Sequence, residues 1–346
     1  MKIWIDLINT PHPIFFKSLM KEFHQGYQTY MTARDRSETV ALARGLGMAP
    51  KVIGRDFSNR VVKAVNHALR TIELFIRVPK FDVALAFGGS ASITVARARI
   101  KPSVVFHDND LIFTHTTLVE RLETRIMARA DHIIIPSAFP TQVLIRRGAK
   151  AENIHQFNGY KEDVYIADYE PDPDFPARLP FNDFVVLRPE ALFAAYVTQT
   201  RSIVPELINS LVANNINIVY LPRIEADLRH VELLREDRHL FVPKQALPGL
   251  DLCWYSQAVL TGSGTFAREA ACLGTTAVSF FPERLLAVDQ HLVNEGKVLH
   301  SRSIEEIIEY VASSFRSEKD PNLERCKEVK RQVVSIVKEI FESLES

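Results

Sequence analysis

Short apolar runs alternate with stretches of helical spacing along nearly the whole chain. In the first half the runs predict strands at Lys2–Leu7, Gln28–Thr32, Asp82–Phe87, Ser103–His107, His132–Pro136 and Ile154–Phe157. In the second half they predict strands at Phe184–Leu187, Ile216–Leu221, Leu240–Val242, Gln257–Thr261 and Thr276–Phe281. Such alternation is typical of βα units in a parallel sheet. It predicts an α/β protein with two Rossmann-like, doubly wound domains.

A change in composition separates the two halves. The stretch from Tyr169 to Pro180 holds four prolines and three acidic residues, which excludes a regular element. We therefore predict a first domain over residues 1–165, a linker over 166–182 and a second domain over 183–320. The remaining residues, 321–346, contain a last helix over about Leu323–Leu344.

Composition narrows the class of protein. Of the 346 residues 47% are hydrophobic and 24% charged, which indicates a soluble globular protein. Lys+Arg and Asp+Glu both number 42, so the net charge does not favour nucleic-acid binding. Three scattered cysteines predict neither a disulfide framework nor a zinc site. A strand at the N-terminus and the lack of a run of about 20 apolar residues predict a cytoplasmic protein without a transmembrane segment.

The segment Phe57–Val78 has a long helical pattern in which basic and apolar residues alternate. It predicts either an ordinary amphipathic surface helix or a helix that contacts a membrane face. The second reading would make the protein peripheral to the membrane.

One strand–turn–helix–strand unit carries the strongest chemical signal. Gly262, Ser263, Gly264 and Thr265 form a tight turn between a buried strand and a helix that Gly274 ends. A glycine turn before a helix presents N–H groups and the positive end of the helix dipole, so it can accept a phosphate. The alternative is that the glycines only pack the helix on the strand.

Polar residues near this turn suit the rest of a nucleotide sugar. Glu269 lies one helical turn into the helix, where its carboxylate could bind ribose hydroxyls. Asp289 and Gln290 follow the next strand and could bind another hydroxyl-rich group. Arg188 and Arg223 end two strands of the same predicted sheet, and the guanidinium group matches phosphate oxygens. For each arginine a surface ion pair is the alternative.

The first half has its own candidates at predicted strand ends. Asn9 and His12 lie in the loop after the first strand, and Gly88, Gly89 and Ser90 form a second glycine turn before a helix. His12 is predicted to be a general base or a phosphate contact, or simply a loop histidine.

Asp108 and Asp110 follow the strand that ends at His107. Their D-x-D spacing can hold a hard cation, although polar loop residues are the commoner explanation. The predicted arrangement has the carboxyl ends of both sheets facing inward, with ligands in the cleft between them.

Several motifs resemble a mostly archaeal family catalogued as domain of unknown function 354. They are Met1–Lys17, Phe87–Ser90, His107–Asp110, Asn158–Glu162, Leu187–Pro189 with Tyr196, Leu221–Arg223 and Gly262–Ala271. The chain departs from the family pattern at Thr10, where a proline is usual, and at Ser263, where a glycine is usual; the latter would narrow a phosphate's approach.

More widely, the chain is similar to GT-B glycosyltransferases, including the GlcNAc transferase that makes lipid II, and to UDP-GlcNAc 2-epimerases. This resemblance implies that the C-terminal domain holds the nucleotide. It places the diphosphate at Gly262–Thr265, ribose at Glu269 and the donor sugar near Asp289 and Gln290. It also implies that the last helix packs back on the first domain.

We expect a metal-independent glycosyltransferase that uses a nucleotide sugar, most simply a UDP-sugar, with no tightly bound cofactor. His12 or Asp108 would be the base for the hydroxyl of an unknown acceptor. If the helix at Phe57–Val78 contacts a membrane, this acceptor could be membrane-associated. A sugar-nucleotide 2-epimerase is the alternative enzyme, for which Asp108, Asp110, Glu120 and His12 could supply acid and base. The third possibility is a protein that binds a nucleotide sugar but has no enzymatic activity.

Overall fold

The structure, a computed structural model, describes residues 1–23, 26–35, 37–55, 60–114, 117–192, 201–234, 236–315, 319 and 321–345. The start of the helix predicted over Phe57–Val78 lies outside this set, as does the motif residue Tyr196. The sequence also predicts a helix over Thr200–Asn214, whose first residue lies outside the set as well. The described chain forms two compact units, one of residues 1–165 with 328–346 and the other of residues 166–327.

The first unit is built on a parallel sheet of seven strands. Its strands are β1 (Lys2–Leu7), β2 (Gln28–Asp35), β3 (Lys51–Arg55), β4 (Val83–Phe87), β5 (Ser103–Phe106), β6 (His132–Pro136) and β7 (Ile154–Phe157). Its helices are α1 (Pro11–Met20), α2 (Ser37–Gly45), α3 (Arg60–Arg77), α4 (Ser90–Ala98), α5 (Leu118–Met127), α6 (Thr141–Ile145) and α7 (Lys161–Ile166). The strand order is β3-β2-β1-β4-β5-β6-β7, so the chain changes direction across the sheet between β1 and β4.

The second unit is built on a parallel sheet of six strands. Its strands are β8 (Val185–Arg188), β9 (Ile218–Tyr220), β10 (Leu240–Phe241), β11 (Ala258–Thr261), β12 (Thr276–Ser279) and β13 (Val298–His300). The helices are α8 (Val204–Ala213), α9 (Gly249–Tyr255), α10 (Gly264–Cys272), α11 (Ala287–Asn294) and α12 (Ile304–Ser314). The last helix, α13 (Leu323–Glu345), begins in this unit and belongs to the first unit from Glu328 onward. The order β10-β9-β8-β11-β12-β13 places the change of direction between β8 and β11.

Two strands of the sheets were not predicted. β3 and β13 are the end strands of their sheets, and each pairs with one neighbour only. β3 contains a glycine and only two apolar residues, and β13 has only three residues. An edge strand needs few apolar residues because one of its sides is not covered by another strand, so the hydrophobic pattern was too weak to show it.

Other local predictions are confirmed. The sequence from Ser303 to Glu306 predicts a capping box at the start of a helix. Ser303 does cap α12, since its hydroxyl accepts a hydrogen bond from the Glu306 backbone N–H at 3.3 Å. The sequence also predicts a helix over Glu225–Glu236, and within it Glu225–Leu234 forms a 3-10 helix. Within the described residues no helix has the length and apolarity needed to span a membrane.

Contacts between residues distant in sequence hold α13 in the first unit and the proline-rich stretch in the second. In the first unit, Phe341 of α13 packs against Phe23 with tilted rings, whose centroids are 5.4 Å apart, and Lys330 pairs with Glu22 at 2.9 Å. The stretch 166–182, predicted as a linker, belongs to the second unit. There the Tyr169 hydroxyl donates to the Asp251 carboxylate at 2.7 Å, and Phe175 is fully buried.

Candidate functional site

The strand order of the second unit defines a crevice. β8 and β11 are neighbours, with Thr261 opposite Arg188 in the register, and the chain leaves them toward opposite ends of the sheet. In open α/β sheets, ligands bind at the carboxyl ends of strands where the order reverses in this way. Arg188 ends one of these strands and the Gly262–Thr265 turn follows the other. The topology therefore brings together two features that the sequence predicted separately.

Gly262 has a packing role in this crevice. A Cβ on Gly262 would lie 2.6 Å from the Cα of Glu190, closer than real atoms approach. The Gly262 N–H donates to the Arg188 carbonyl at 3.1 Å. Glu190 is itself buried and pairs with Arg302 at 3.1 Å. Packing alone is thus sufficient to explain this glycine, because any side chain would push apart the two segments that follow β8 and β11.

The next three residues of the turn are available to a ligand. Ser263, Gly264 and Thr265 are half-exposed, and they begin the nine-residue helix α10. Ser263 occupies the N-cap position without a side-chain capping hydrogen bond, while its own N–H donates to the Thr261 hydroxyl at 3.0 Å. The first N–H groups of a helix carry the positive end of its dipole, so this surface favours an anion.

Both predicted arginines lie at this edge of the sheet. The Arg188 guanidinium lies over the ring of Phe266, 5.8 Å from its centroid, and Phe266 is in the first turn of α10. The Nε of Arg223 donates to the carbonyl of Pro189 at 2.7 Å, directly after β8. A cation beside a helix N-terminus is a suitable arrangement for a phosphate group.

An ion pair that was not predicted flanks the turn. A Cβ on Gly264 would lie 3.1 Å from both Asp289 Oδ2 and Arg268 Nη1, and those two residues form an ion pair at 2.5 Å. The side chains of Arg268 and Asp289 are only 3% and 13% exposed. Asp289 therefore neutralises Arg268 beside the helix start. The available signal for Arg268 was that it is the single cation of α10.

Gln290 and Glu269 lie in different surroundings. Gln290 is exposed, and its Nε2 donates to Asn294 one turn further along α11, at 3.1 Å. Glu269 is half-buried on α10. Burial and then the Glu269 carboxylate raise the pKa of the Cys253 thiol, so Glu269 lies near α9. Ligand contacts for these two residues stay predictions.

In the first unit the reversal lies between β1 and β4, next to His12. Asn9 is exposed, whereas His12 is 4% exposed and packs 5.1 Å from the Phe87 ring. The Ile8 N–H donates to Nδ1 of His12 at 3.4 Å. The neutral ring therefore carries its proton on Nε2, where it is a hydrogen-bond donor.

Lys161 completes a buried charged cluster at this edge. Its Nζ forms an ion pair with Asp108, approaches Glu162 Oε1 at 3.5 Å and lies 5.5 Å from the centre of the Phe87 ring. Lys161 and Asp108 are 7% and 9% exposed. Sequence reasoning did not assign Lys161, although it lies in the Asn158–Glu162 motif that resembles the family pattern. The D-x-D carboxylate of Asp108 thus has a protein cation as its partner.

Other predicted residues of this edge have structural partners. Asp110 is buried, at 6% exposure. Glu120 accepts a hydrogen bond from the Thr117 hydroxyl at 2.6 Å, in the capping turn of α5. Burial lowers the pKa of His107 to about 4, and its Nε2 has no hydrogen-bond partner among the described residues. The described residues contain no group of three His, Cys, Asp or Glu side chains arranged to hold a metal ion.

The glycine turn of the first unit is more enclosed than that of the second. Gly88 has a φ of +67°, which favours glycine, and a Cβ on Gly89 would lie 3.0 Å from the Ser92 hydroxyl. Ser90 is 3% exposed. Its hydroxyl lies 3.0 Å from His67 Nε2 and 3.4 Å from Glu123 Oε1. These contacts occupy the start of α4.

The protein has a GT-B-like fold, as predicted. Each of its two α/β units has a parallel sheet, and each sheet has a crevice at the carboxyl ends of the strands where the strand order reverses. The chain belongs to the family described as protein of unknown function (DUF354), whose model matches residues 1–344. An uncharacterised protein of Methanocaldococcus jannaschii, MJ0665, is 29% identical over 327 residues, which cover 91% of this chain and 92% of that protein. The predicted family is therefore confirmed.

Solved structures share the fold at low identity. The UDP-GlcNAc 2-epimerase of Methanocaldococcus jannaschii matches with a TM-score of 0.73 and 14% identity, covering 98% of this chain and 99% of that one. The UDP-GlcNAc 2-epimerase of Neisseria meningitidis bound to UDP-GlcNAc matches at 0.70 and 13%, covering 99% and 100%. A glycosyltransferase of kitacinnamycin matches at 0.61 and 11%, covering 99% and 98%. At these identities the likeness establishes the fold alone.

Proposed function

We propose that the protein is a nucleotide-sugar-dependent glycosyltransferase whose second unit binds the donor diphosphate on Ser263–Thr265, beside Arg188. The observation that carries this proposal is the coincidence of a half-exposed helix N-terminus and an arginine at the strand-order reversal. The similar UDP-GlcNAc 2-epimerase structures with UDP-GlcNAc bound support a nucleotide sugar as the ligand class. The UDP-sugar itself is part of the proposal.

Transfer would use these groups as follows. An acceptor hydroxyl attacks the anomeric carbon, the bond from that carbon to the diphosphate oxygen breaks, and the diphosphate leaves with an additional negative charge. The N–H groups at the start of α10 and the guanidinium groups of Arg188 and Arg223 are fixed positive charges that stabilise this developing charge. The hydroxyl proton passes to a base.

We assign the role of base to a residue at the carboxyl edge of the first sheet. Of the two candidates there, we prefer Asp108 to His12. The carboxylate of Asp108 can accept a proton, whereas the neutral ring of His12 already accepts from Ile8 at Nδ1 and carries its proton on Nε2. His12 is then a donor. Lys161, as the partner of Asp108, would orient the carboxylate.

A 2-epimerase is the second candidate, and the cluster around Lys161 favours it. Epimerisation at a sugar carbon removes and returns a proton without an acceptor, so it requires donors and acceptors close together. His12, Asp108, Lys161 and Glu162 are all buried at one edge of the first sheet. The two candidates share the donor site and differ in whether an acceptor is consumed.

Calorimetric titration with UDP and UDP-GlcNAc tests the shared donor site. Removal of a guanidinium that binds phosphate costs about 2 kcal/mol, so Arg188→Ala should weaken UDP binding by roughly thirtyfold. Arg229→Ala, an exposed arginine of the same unit, is the matched control and should not change the affinity. Equal affinity of wild type and Arg188→Ala would show that the diphosphate binds elsewhere, and a lack of nucleotide binding would remove both enzyme assignments.

Product analysis then separates the candidates. The full chain is incubated with UDP-GlcNAc alone, and the nucleotide sugars are separated chromatographically. Appearance of the C2 epimer without an acceptor would establish the epimerase and overturn the transferase. Stable UDP-GlcNAc that releases UDP only with an added acceptor would establish transfer.

A further inference from the structure

An apolar stripe runs along the outer side of α3. Four side chains at spacings of four, three and four residues are 54–72% exposed: Val65, Leu69, Ile72 and Ile76. Phe75 beside them is 44% exposed. On the opposite side of the helix, Arg70 is 2% exposed and pairs with Asp6, and Leu74 packs into the core with Trp4. The continuous apolar stripe of α3 therefore lies on the side that the unit leaves exposed.

Ile100 extends this surface at the end of α4. It is 93% exposed and has a φ of 53°, a left-handed conformation in which a β-branched residue is an outlier. Helix ends of this type usually carry glycine. The Arg99 guanidinium donates to the Phe75 carbonyl and lies 5.3 Å from the Phe75 ring centroid, which holds Ile100 beside the end of α3. An exposed isoleucine thus occupies a position that is conformationally unfavourable for it.

The residues around this end of α3 are mostly basic. Five cationic side chains are exposed or half-exposed there: Arg77, Lys80, Arg97, Arg99 and Lys101. In the described segments 65–82 and 97–101 the only acidic residues are Glu73 and Asp82. The whole chain has no net charge, so this excess of positive charge is local. We call Ile72, Phe75, Ile76 and Ile100, with these five cations, the basal patch.

We propose that the basal patch docks the protein on the surface of an anionic lipid bilayer. Apolar side chains surrounded by lysine and arginine are the composition of interfacial membrane contacts, in which the apolar groups enter the headgroup boundary and the cations meet anionic lipid. A second copy of the chain fits less well. A twofold contact would place the five cations against the same cations of the other copy, whereas the centres of protein interfaces are depleted of charge.

Sedimentation of the full chain with vesicles tests this proposal. We expect binding to equimolar phosphatidylcholine and phosphatidylglycerol, little binding to phosphatidylcholine alone, and weakening by salt because the attraction is screened. The double variant Arg97→Gln, Lys101→Gln should bind the anionic vesicles roughly thirtyfold less well, about fivefold for each cation removed. Equal binding of the double variant and wild type would overturn the proposal.

Ile100→Asn separates membrane contact from folding. Asparagine accepts the left-handed conformation, so the variant should melt no lower than wild type, yet its vesicle affinity should fall about tenfold because an inserting group is lost. Leu233→Ser is the matched control, since Leu233 is 98% exposed in the other unit and should not affect binding. The proposal is wrong if the wild-type protein does not bind anionic vesicles. It is also wrong if the wild-type protein forms a dimer that the substitution Ile76→Ser dissociates.

Discussion

Two glycine turns occupy the same place in the two units, yet their surroundings differ. Gly88–Ser90 and Gly262–Thr265 both follow a central strand at the strand-order reversal and begin a helix. In the first, Ser90 is buried and bonded to His67. In the second, Ser263 is half-exposed without a side-chain capping bond, and Arg188 lies beside the helix start. A glycine turn is thus only a framework, and its neighbours decide whether an anion can approach.

The largest expected effect concerns the ion pair beside the second turn. Asp289→Ala leaves Arg268 buried without its carboxylate, which should lower the free energy of unfolding by about 4 kcal/mol. It should also strengthen UDP binding, because the remaining cation lies beside the start of α10. Urea unfolding and calorimetric titration measure the two effects. Weaker UDP binding would instead support the sequence-based prediction that Asp289 contacts the donor.

Acid should destabilise the first unit. Burial lowers the pKa of His107 to about 4 from 6.5, and burial is also the main cause of the lowered pKa values of His67, His132 and His155. Below pH 6.5 the unfolded chain binds protons that the folded rings do not, so the free energy of unfolding falls as the pH is lowered toward 4. His107 alone contributes about 3 kcal/mol.

Hydrogen exchange as a function of pH, resolved by peptide, measures this loss in the first unit. In His107→Gln the acid-induced loss should be smaller than in wild type. An identical pH dependence in both proteins would contradict the role given to His107.

The glycines of the two turns should respond differently to alanine. Gly262→Ala places a Cβ against the backbone of Glu190 and should cost about 2 kcal/mol, because a backbone that is held directly after β8 cannot move aside as a side chain can. Gly89→Ala places a Cβ 3.0 Å from the Ser92 hydroxyl and 3.3 Å from the Ala86 Cβ, and these longer distances should cost less. Denaturant unfolding of both variants measures the difference. A larger loss for Gly89→Ala would reverse this comparison.

The smallest effect distinguishes the two serines. Ser90→Ala should lose about 1 kcal/mol of unfolding free energy, since its buried hydroxyl bonds to His67. Ser263→Ala removes no capping hydrogen bond and should cost only a few tenths of a kcal/mol. Equal losses in parallel unfolding experiments would show that the two turns are alike in this respect.

Much of the local structure could be predicted because it depends on neighbouring residues. The apolar runs predicted eleven strands, and the Ser303 capping box was visible as a four-residue pattern. The end strands β3 and β13 were not predicted, because a strand that pairs on one side only requires few apolar residues. Lys161 could be seen in a motif but not assigned, since its partner Asp108 lies 53 residues away.

The order of apolar and polar residues by itself determined an α/β chain with glycine turns at strand ends and basic residues among the apolar ones of α3. Only the tertiary structure decided which turn is half-exposed, which carboxylate neutralises Arg268, and which side of α3 is uncovered. The physical reason is that helical and strand periods are properties of consecutive residues. Burial and charge pairing depend instead on side chains that the strand order brings together from distant parts of the chain.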